Sequence, residues 1–535
     1  MTETYKNPYS AQLVPAKNII DIVRALTAEK DINRLLEMIL DEALRISTAD
    51  AGTLYIVNKQ ATHLDFAFVR NKSLGVNSKY HKDMGELPSV PLYFRNGSPN
   101  MINISSCAAL TGKTFNIENI YNSKEFKFSG ARAYDEKTGY RSQSMLVIPM
   151  FNHENTIIGV LQLLNATNQE TGEVVSFDQG LTGVAFALAS LAATALNNRQ
   201  LIAGLKHLFD SFIKSIAAAV DEKSPYTGGH ITRVVELVRL IAQGINTETT
   251  GAFADFGFTA DELEELKIAA WMHDVGKITT PEYVVNKSTK LETLRDGIHT
   301  VRLRFRLVAQ ELESMTWKKM ATGSEHGEKP CQDEIKRVED ELQREKERLE
   351  SDLEFVCQCN TGKFFMEDHH LQRLEEIASR RVFPGQMPLL TTEEMENLTI
   401  RKGNLTQNER QIIENHVIVT QKILNELPFP RSLHNVPKIA SAHHEKLDGS
   451  GYPDGKDAAE LNLATRIMAI ADIFEALTAA DRPYKHPMPL SKALDILDFM
   501  EKDGHIDKDI VRLFREKRLF APYAEQYLKP EQVDI

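Results

Sequence analysis

Several features are scarce in this 535-residue chain, and each scarcity excludes something. No uninterrupted run of about 18 apolar residues occurs, the length that a membrane-spanning helix needs. The richest stretch, Val184 to Leu196, is shorter and alanine-rich, and reads as a packed helix. No long basic block is present and the formal net charge is −12. That balance argues against nonspecific binding of a nucleic-acid polymer, and an anionic substrate would need a local patch of cations or metal ions. Four cysteines in so long a chain do not make a disulfide framework. Residues Met1 to Pro8 are polar and lack the apolar centre of a signal peptide. The expectation is a cytoplasmic protein with no membrane span. The whole chain, 42% hydrophobic and 26% charged, has the composition of a soluble globular protein, and the length predicts two to four domains.

The first part reads as mixed α and β. Asn18 to Ile46 carries Ile, Leu and Val at helical spacing. Gly52 to Val57 and Ser144 to Met150 read as strands, Asn152 to Asn155 as a turn, and Ile157 to Leu164 as the returning strand. With Thr138-Gly139-Tyr140-Arg141-Ser142-Gln143-Ser144 before that hairpin, residues 1–176 resemble a GAF domain, a small-molecule-sensing module. The closest likeness is to the GAF domains of cyclic-nucleotide phosphodiesterases. Their Asn-Lys…Phe…Asp-Glu signature is only partly present: Asn165 and Phe177 stand, Ala166 replaces the lysine, and the Asp-Glu pair is not in place. The ligand of this domain is left open, and a dimerisation module with no ligand is the alternative.

Residues 177–222 predict one long helix. Leu181, Val184, Leu188, Leu191, Ala195, Asn198, Ile202, Leu205, Phe209, Phe212 and Ile216 alternate in steps of three and four, a heptad seam with one polar position at Asn198. A parallel homodimer coil joining the sensor-like first part to the second part is expected, against the plainer reading of a helix packed on its own domain. Within residues 223–535, the segment at about 289–393 reads as an inserted arm. Glu334 to Glu354 is a charged helix expected to pair with a helix near Leu371 to Arg381. Cys357-Gln358-Cys359 is expected near its tip, with His369-His370 following; one Cys-x-Cys is a weak metal signal.

The most informative text is His443-His444-Glu445 followed by Lys446-Leu447-Asp448-Gly449-Ser450-Gly451-Tyr452-Pro453, with His273-Asp274-Val275-Gly276-Lys277 far upstream. Imidazole and carboxylate are the usual ligands of catalytic zinc, iron or manganese. Asp274 and Asp472 follow apolar runs, and a buried unpaired carboxylate costs several kcal/mol, so each requires a cation or a hydrogen-bond partner. A core salt bridge would satisfy either alone; together with the histidines they point to a metal hydrolase.

Five motifs then stand in one order: Ser224 to His230, His273 to Lys277, Asn415-His416, the His-His and Gly-Tyr-Pro block, and Ala471-Asp472 running through Thr478 into Asp481-Arg482-Pro483-Tyr484-Lys485. In this order they resemble an HD-GYP phosphodiesterase, over about residues 205 to 300 and 395 to 520. The resemblance implies an α+β multidomain chain: a GAF sensor, a coiled linker helix, and an all-α HD-GYP domain with an inserted helical arm. It implies one metal ion on His230, His273, Asp274 and Asp472. Asp274 would bridge to a second ion on His416, His443 and His444. Two such cations activate water and neutralise phosphate, and the His-rich set suits iron or manganese better than magnesium. Some relatives hold a third ion through a glutamate four residues before the first histidine; Tyr226 stands there, so two ions are expected. Asp274 and Lys277 are the catalytic expectations. Lys277, Gly451, Tyr452, Pro453, Arg482, Tyr484 and Lys485 are the expected substrate contacts, and Glu445 is expected to orient a histidine. The implied substrate is cyclic di-GMP, giving pGpG and GMP. Alternatives are 3′,3′-cyclic GMP-AMP, a monomeric nucleotide, or a noncatalytic cyclic-dinucleotide receptor. Diguanylate cyclase domains are implied partners of the Gly-Tyr-Pro loop.

Overall fold

The computed structural model describes residues 31–79, 89–223, 228–322, 331–380, 387–480 and 487–535. The chain divides into two compact units between Leu208 and Phe209.

The first unit is built on one antiparallel sheet. Its strands are β1 (Ala49–Val57), β2 (His63–Asn71), β3 (Val76–Lys79), β4 (Val90–Pro91), β5 (Phe115–Ile117), β6 (Met145–Phe151), β7 (Ile157–Thr167) and β8 (Val174–Val175). The order is β3-β2-β1-β7-β6-β5, with β4 on β2 and β8 on β7. Strand alternation separates two cores. Leu146, Ile148 and Met150 face the helix α1 (Ile32–Ile46), whose Leu35, Leu36, Ile39, Leu40 and Leu44 form its buried stripe. Met145 and Val147 face the other way, toward α2 (Ile104–Thr111) and Phe128, which precedes α3 (Ser129–Thr138). Asp31 caps α1 by accepting from the N–H groups of Asn33 and Arg34. On the second face, Tyr55, Phe66, Ser105, Phe128, Met145 and Gln162 line a cavity of about 280 Å³. Asn165, at φ +54°, donates to Tyr140 Oη and to the Arg141 carbonyl and accepts from the Gln143 N–H. It pins the Thr138–Ser144 segment to the sheet.

The helix α4 runs from Gln179 to Glu222. The expected seam is not one surface along its length. Ala185, Ala189, Ala192 and Ala193 pack with α1 and the sheet, because alanine lets a helix approach closely. Leu188 is buried at that end. Ile213 and Val220 enter the core of the second unit, with Phe209 and Ile216 against it. Between these ends every residue from Gln200 to Leu208 is exposed.

The second unit is helical: α5 (His230–Thr247), α6 (Ala260–Met272), α7 (Glu282–Val285), α8 (Ile298–Thr322), α9 (Gln332–Cys359), α10 (Asp368–Ser379), α11 (Thr392–Leu398), α12 (Gln407–Asn425), α13 (Val436–Ser441), α14 (Leu463–Thr478), α15 (Leu490–Lys502), α16 (Lys508–Glu516) and α17 (Ala521–Tyr527). Its main core gathers Val234, Leu237 and Ile241 of α5, Leu266 and Ala269 of α6, Ile467, Ile470 and Phe474 of α14, and Phe514 and Tyr523. The arm has its own core, with Val301, Phe305, Leu349, Val356, Leu374 and Ile377. It differs from expectation in two respects. The long partner of the charged helix α9 is α8, with Lys346 Nζ 2.8 Å from Glu313 Oε2, while α10 closes the base through Arg373 to Asp352. Cys357 and Cys359 lie at the base, with Cys359 fully buried among apolar side chains, because the last two turns of α9 are its only strongly apolar ones.

Candidate metal centre

Four segments of the second unit converge on one carboxylate. Met272 ends α6, and His273 and Asp274 follow at once. Asp274 is 2% exposed. Its Oδ2 lies 3.4 Å from Nε2 of His230, 3.4 Å from Nε2 of His273 and 2.6 Å from Lys277 Nζ. Its Oδ1 lies 3.3 Å from Nε2 of His416 and 3.9 Å from Nε2 of His443. The two oxygens are therefore divided between two histidine groups. Asp472 of α14 stands on the Oδ2 side, its Oδ1 3.4 Å from Nε2 of His230 and 3.9 Å from Nε2 of His273. His416, His443 and His444 offer ring nitrogens within 4.8 Å of one another, as do the ligand atoms of His230, His273 and Asp472. All seven expected ligand residues are thus brought together.

The rings are held from behind. Nδ1 of His273 faces the Ala270 carbonyl at 2.7 Å and Nδ1 of His443 faces the Ala440 carbonyl at 2.6 Å. Both carbonyls belong to helix C-terminal turns, where oxygens lack intrahelical partners. His416 Nδ1 faces the Ile413 carbonyl, and His230 Nδ1 faces Glu475. A carbonyl or carboxylate there takes the proton on Nδ1, so Nε2 is the nitrogen that each ring presents to the centre and the one from which a cation would displace any proton. Nine buried side-chain atoms among the described residues lack a hydrogen-bond partner. Five are in this cluster: Nε2 of His230, His273, His416 and His443, and Oδ1 of Asp274. Buried polar atoms without partners are costly, and five converging imidazole and carboxylate atoms are the donor set that a transition-metal ion satisfies.

The electrostatics divide in the same way. Burial opposes charging His230, but Asp274, Glu475 and Asp472 outweigh it and push its pKa up to about 10. His273 is raised too: burial opposes the charge, and Asp274 and Asp472 overcome it. Burial favours a neutral Asp274, yet Lys277 and His273 hold its carboxyl well below the usual range. Burial, then the neighbouring rings, press His443 well below ordinary histidine, and burial brings His444 down to about 4. His443 and His444 are thus neutral imidazoles, while beside His230 and His273 protons offset the carboxylates where a cation would displace them.

Several contacts that fix the site had no local sequence signal. Thr420 of α12 accepts from the Gly276 N–H at 2.9 Å and donates to the His273 carbonyl at 3.1 Å. A Cβ on Gly276 would fall 1.9 Å from the His416 carbonyl oxygen, so only glycine lets this turn lie on α12. Glu475 takes both His230 and Arg233, the latter at 2.7 Å. It lies one helical turn beyond Asp472, which is the signal that could have found it. Glu445 does not orient a histidine. It accepts from the N–H groups of Asp454 at 2.8 Å and Lys456 at 3.0 Å, folding the loop that follows. Within that loop the Tyr452 ring lies 4.8 Å from His444 and the Tyr452 N–H donates to the His444 carbonyl. Gly451 sits where a Cβ would meet the Lys446 nitrogen at 2.4 Å, and Pro453 follows a cis peptide bond. Tyr226, Arg482, Tyr484 and Lys485 lie outside the described residues.

Comparison with known proteins agrees with this layout. The GAF-domain profile matches residues 31–196, and two HD-domain profiles match 227–352 and 386–510. A Vibrio cholerae protein named 3′3′-cGAMP-specific phosphodiesterase 3 is 44% identical over 99 residues, 18% of this chain and 20% of its own. A probable cyclic di-GMP phosphodiesterase of the same species is 33% identical over 146 residues, 26% of this chain and 33% of its own. A Thermotoga maritima cyclic di-GMP phosphodiesterase is 38% identical over 98 residues, 18% of this chain and 26% of its own. The chain spans between a fifth and a third of the length of these relatives. Among the described residues no helix is long and apolar enough to cross a membrane.

Proposed function

We propose that this chain, a GAF domain joined to an HD domain of the HD-GYP family, is a metal-dependent phosphodiesterase that hydrolyses cyclic di-GMP to linear pGpG and on to GMP. The observation that carries the reading is the division of Asp274's two oxygens between two histidine groups. His230, His273, Asp274 and Asp472 would hold one ion, and Asp274, His416, His443 and His444 the other. Iron or manganese in these sets would supply activation of water and neutralisation of phosphate charge. The chain's own groups do the rest. The Nδ1 contacts orient the rings before substrate arrives. Lys277, with its side chain 31% exposed, holds an ammonium beside the centre. It is positioned to meet the scissile phosphate or the leaving oxygen. Tyr452 packs tilted against His444 and, with Gly451 and Pro453, would form the edge against which a guanine ring lies. Arg482, Tyr484 and Lys485, which follow α14 in the sequence, are assigned to substrate binding by the family resemblance, Arg482 through a guanidinium able to pair bidentately with phosphate.

The second substrate reading is 3′,3′-cyclic GMP-AMP, favoured by the name of the 44%-identical relative. A noncatalytic receptor is disfavoured, because that role needs no complete ligand set. The sensor cavity in the GAF domain supplies the regulatory input, its ligand unidentified. A homodimer through α4 is the assembly. Ile202, Leu205, Leu208 and Phe212 are 64%, 65%, 65% and 55% exposed on one helix, an apolar surface that a second copy in parallel would cover. Diguanylate cyclase domains are assigned as partners of the Gly-Tyr-Pro loop. The test is anaerobic purification, reconstitution with iron or manganese, metal analysis, and turnover on both cyclic dinucleotides. Binding of either without hydrolysis at any metal loading would refute the enzyme reading.

A further inference from the structure

We infer that Asp221 and Lys223, in and just after the last turn of the linker helix, are positioning residues for the metal centre, and that through them the placement of α4 sets the spacing of the first ligand group. The inference rests on the metal-centre reading above. It starts from a helix that lacks its own cap. α5 begins at His230, its N-cap Gly229 is at φ +82°, and no side chain caps it locally. The first N–H groups of a helix have no intrahelical acceptor. Here the acceptor comes from another helix: the Asp221 carboxylate takes the N–H groups of Gly229 and Ile231, on either side of His230. A carboxylate at that end is also favoured by the helix dipole.

Two residues further on, Lys223 reaches in another direction. Its Nζ donates to the Lys277 carbonyl at 3.3 Å and, more closely, to the Ile278 carbonyl. These oxygens end the short 3-10 turn Val275–Thr279, which starts directly after Asp274. One turn of α4 therefore grips the backbone beside His230 with an anion and the backbone after His273-Asp274 with a cation. The two gripped segments meet at the centre, where Nε2 of His230 and Oδ2 of Asp274 are 3.4 Å apart. Metal–ligand distances tolerate about 0.2 Å, whereas helices shift by about 1–2 Å in switching transitions. A movement of α4 along or about its axis thus changes a ligand spacing by more than a bound ion accepts. His416 stands on α12 and His443 and His444 follow α13, elements other than the two gripped here.

The test uses the full chain and Mn²⁺ alone as the probe, followed by turnover. Asp221→Ala and Lys223→Met should each weaken one of the two Mn²⁺ binding steps about tenfold, the scale of changes behind first-contact ligands, and leave the other step unchanged. kcat should fall with KM for the dinucleotide unaltered, the split expected of residues whose contacts are to the backbone beside the metal ligands. Lys223→Arg, which still donates to carbonyls, should restore Mn²⁺ affinity. If Asp221→Ala does not fold, Asp221→Asn and Lys223→Met carry the test. Native Mn²⁺ affinity in a folded variant at either position, or equal weakening of both steps, overturns the inference. A wild-type chain that binds no Mn²⁺ or iron overturns the metal-centre reading itself, a result distinct from a loss confined to the variants.

Discussion

Asp274→Asn is the sharpest perturbation of the site, because it keeps the shape of the side chain and removes its charge. The carboxylate lies within 3.4 Å of two ring nitrogens through one oxygen and 3.3 Å from a third through the other. A unit charge facing another at about 4 Å is worth roughly 4 kcal/mol at an effective dielectric near 20. Loss of that interaction weakens the hold on each cation by nearly 10³-fold, roughly tenfold for every 1.4 kcal/mol. Losing one well-placed charge interaction in a transition state costs about 10²–10³ in rate, so turnover at saturating Mn²⁺ should drop at least that far. The assay has three parts: circular dichroism for the fold, elemental analysis after reconstitution, and product formation from cyclic di-GMP and cyclic GMP-AMP. The expected variant is folded, carries at most one ion and is inactive within detection. A folded Asp274→Asn chain that holds two ions and turns over within about tenfold of wild type would refute the bridging assignment, since no scheme with a shared carboxylate survives that loss.

Other perturbations separate the remaining roles. Lys277→Ala should retain both ions but lose about 10²-fold in kcat, checked by metal analysis beside kinetics; loss of metal would make Lys277 part of the binding cage instead. Insertion of four residues after Asn198 turns the downstream helix by about 40° relative to the upstream part. It should change basal turnover or its response to the sensor ligand in a stable dimer; unchanged values would reduce the first unit to a dimerisation or localisation module. In the arm, Arg304 pairs with Glu394 at 2.6 Å and donates to the Leu389 carbonyl. Arg304→Met leaves the glutamate half-buried without its cation and should cost about 3 kcal/mol in urea unfolding. Burial raises the Glu394 carboxyl, but Arg304 and the Thr391 N–H bring it below its ordinary value. Its stabilisation is therefore present above the unfolded pKa and fades as pH falls through the folded one. The variant should lose stability less steeply on acidification than wild type, and parallel curves would contradict this account.

What the sequence revealed follows from how local each determinant is. The strands β6 and β7 were legible because two apolar runs rich in Val, Ile and Leu and the four-residue turn between them lie within one short window. The clustering of the histidines and aspartates was legible because His273-Asp274, His443-His444 and Asp472 each end or occupy an apolar helix. Thr420 was not, since a threonine in mid-helix carries no sign that it will bind a backbone turn 144 residues away. Glu445 misled for the same reason: its adjacency to His444 suggested a ring contact, while the folded loop offered two backbone N–H groups in better geometry. The long helix α8 was missed because its buried Val301, Arg304, Phe305 and Val308 are diluted by exposed Leu303 and Leu307, which blur the periodic stripe. The seam of α4 was read from spacing alone, and spacing does not say which turns are already occupied by the chain's own cores.

The fixed ring orientations have a consequence for the choice of metal. Four imidazoles are held by contacts made within the polypeptide, to Ala270, Ile413, Ala440 and Glu475, whatever cation is nearby. The cost of arranging the rings is met during folding and is the same for every ion. Discrimination is then left to the ions' own ranking for nitrogen and oxygen donors, in which copper and zinc stand above iron and manganese. A rigid cage of this kind does not select the weaker binders by adapting to them. Iron or manganese occupancy would have to be imposed by supply, which makes the ion carried by the purified protein a record of the medium in which the chain folded.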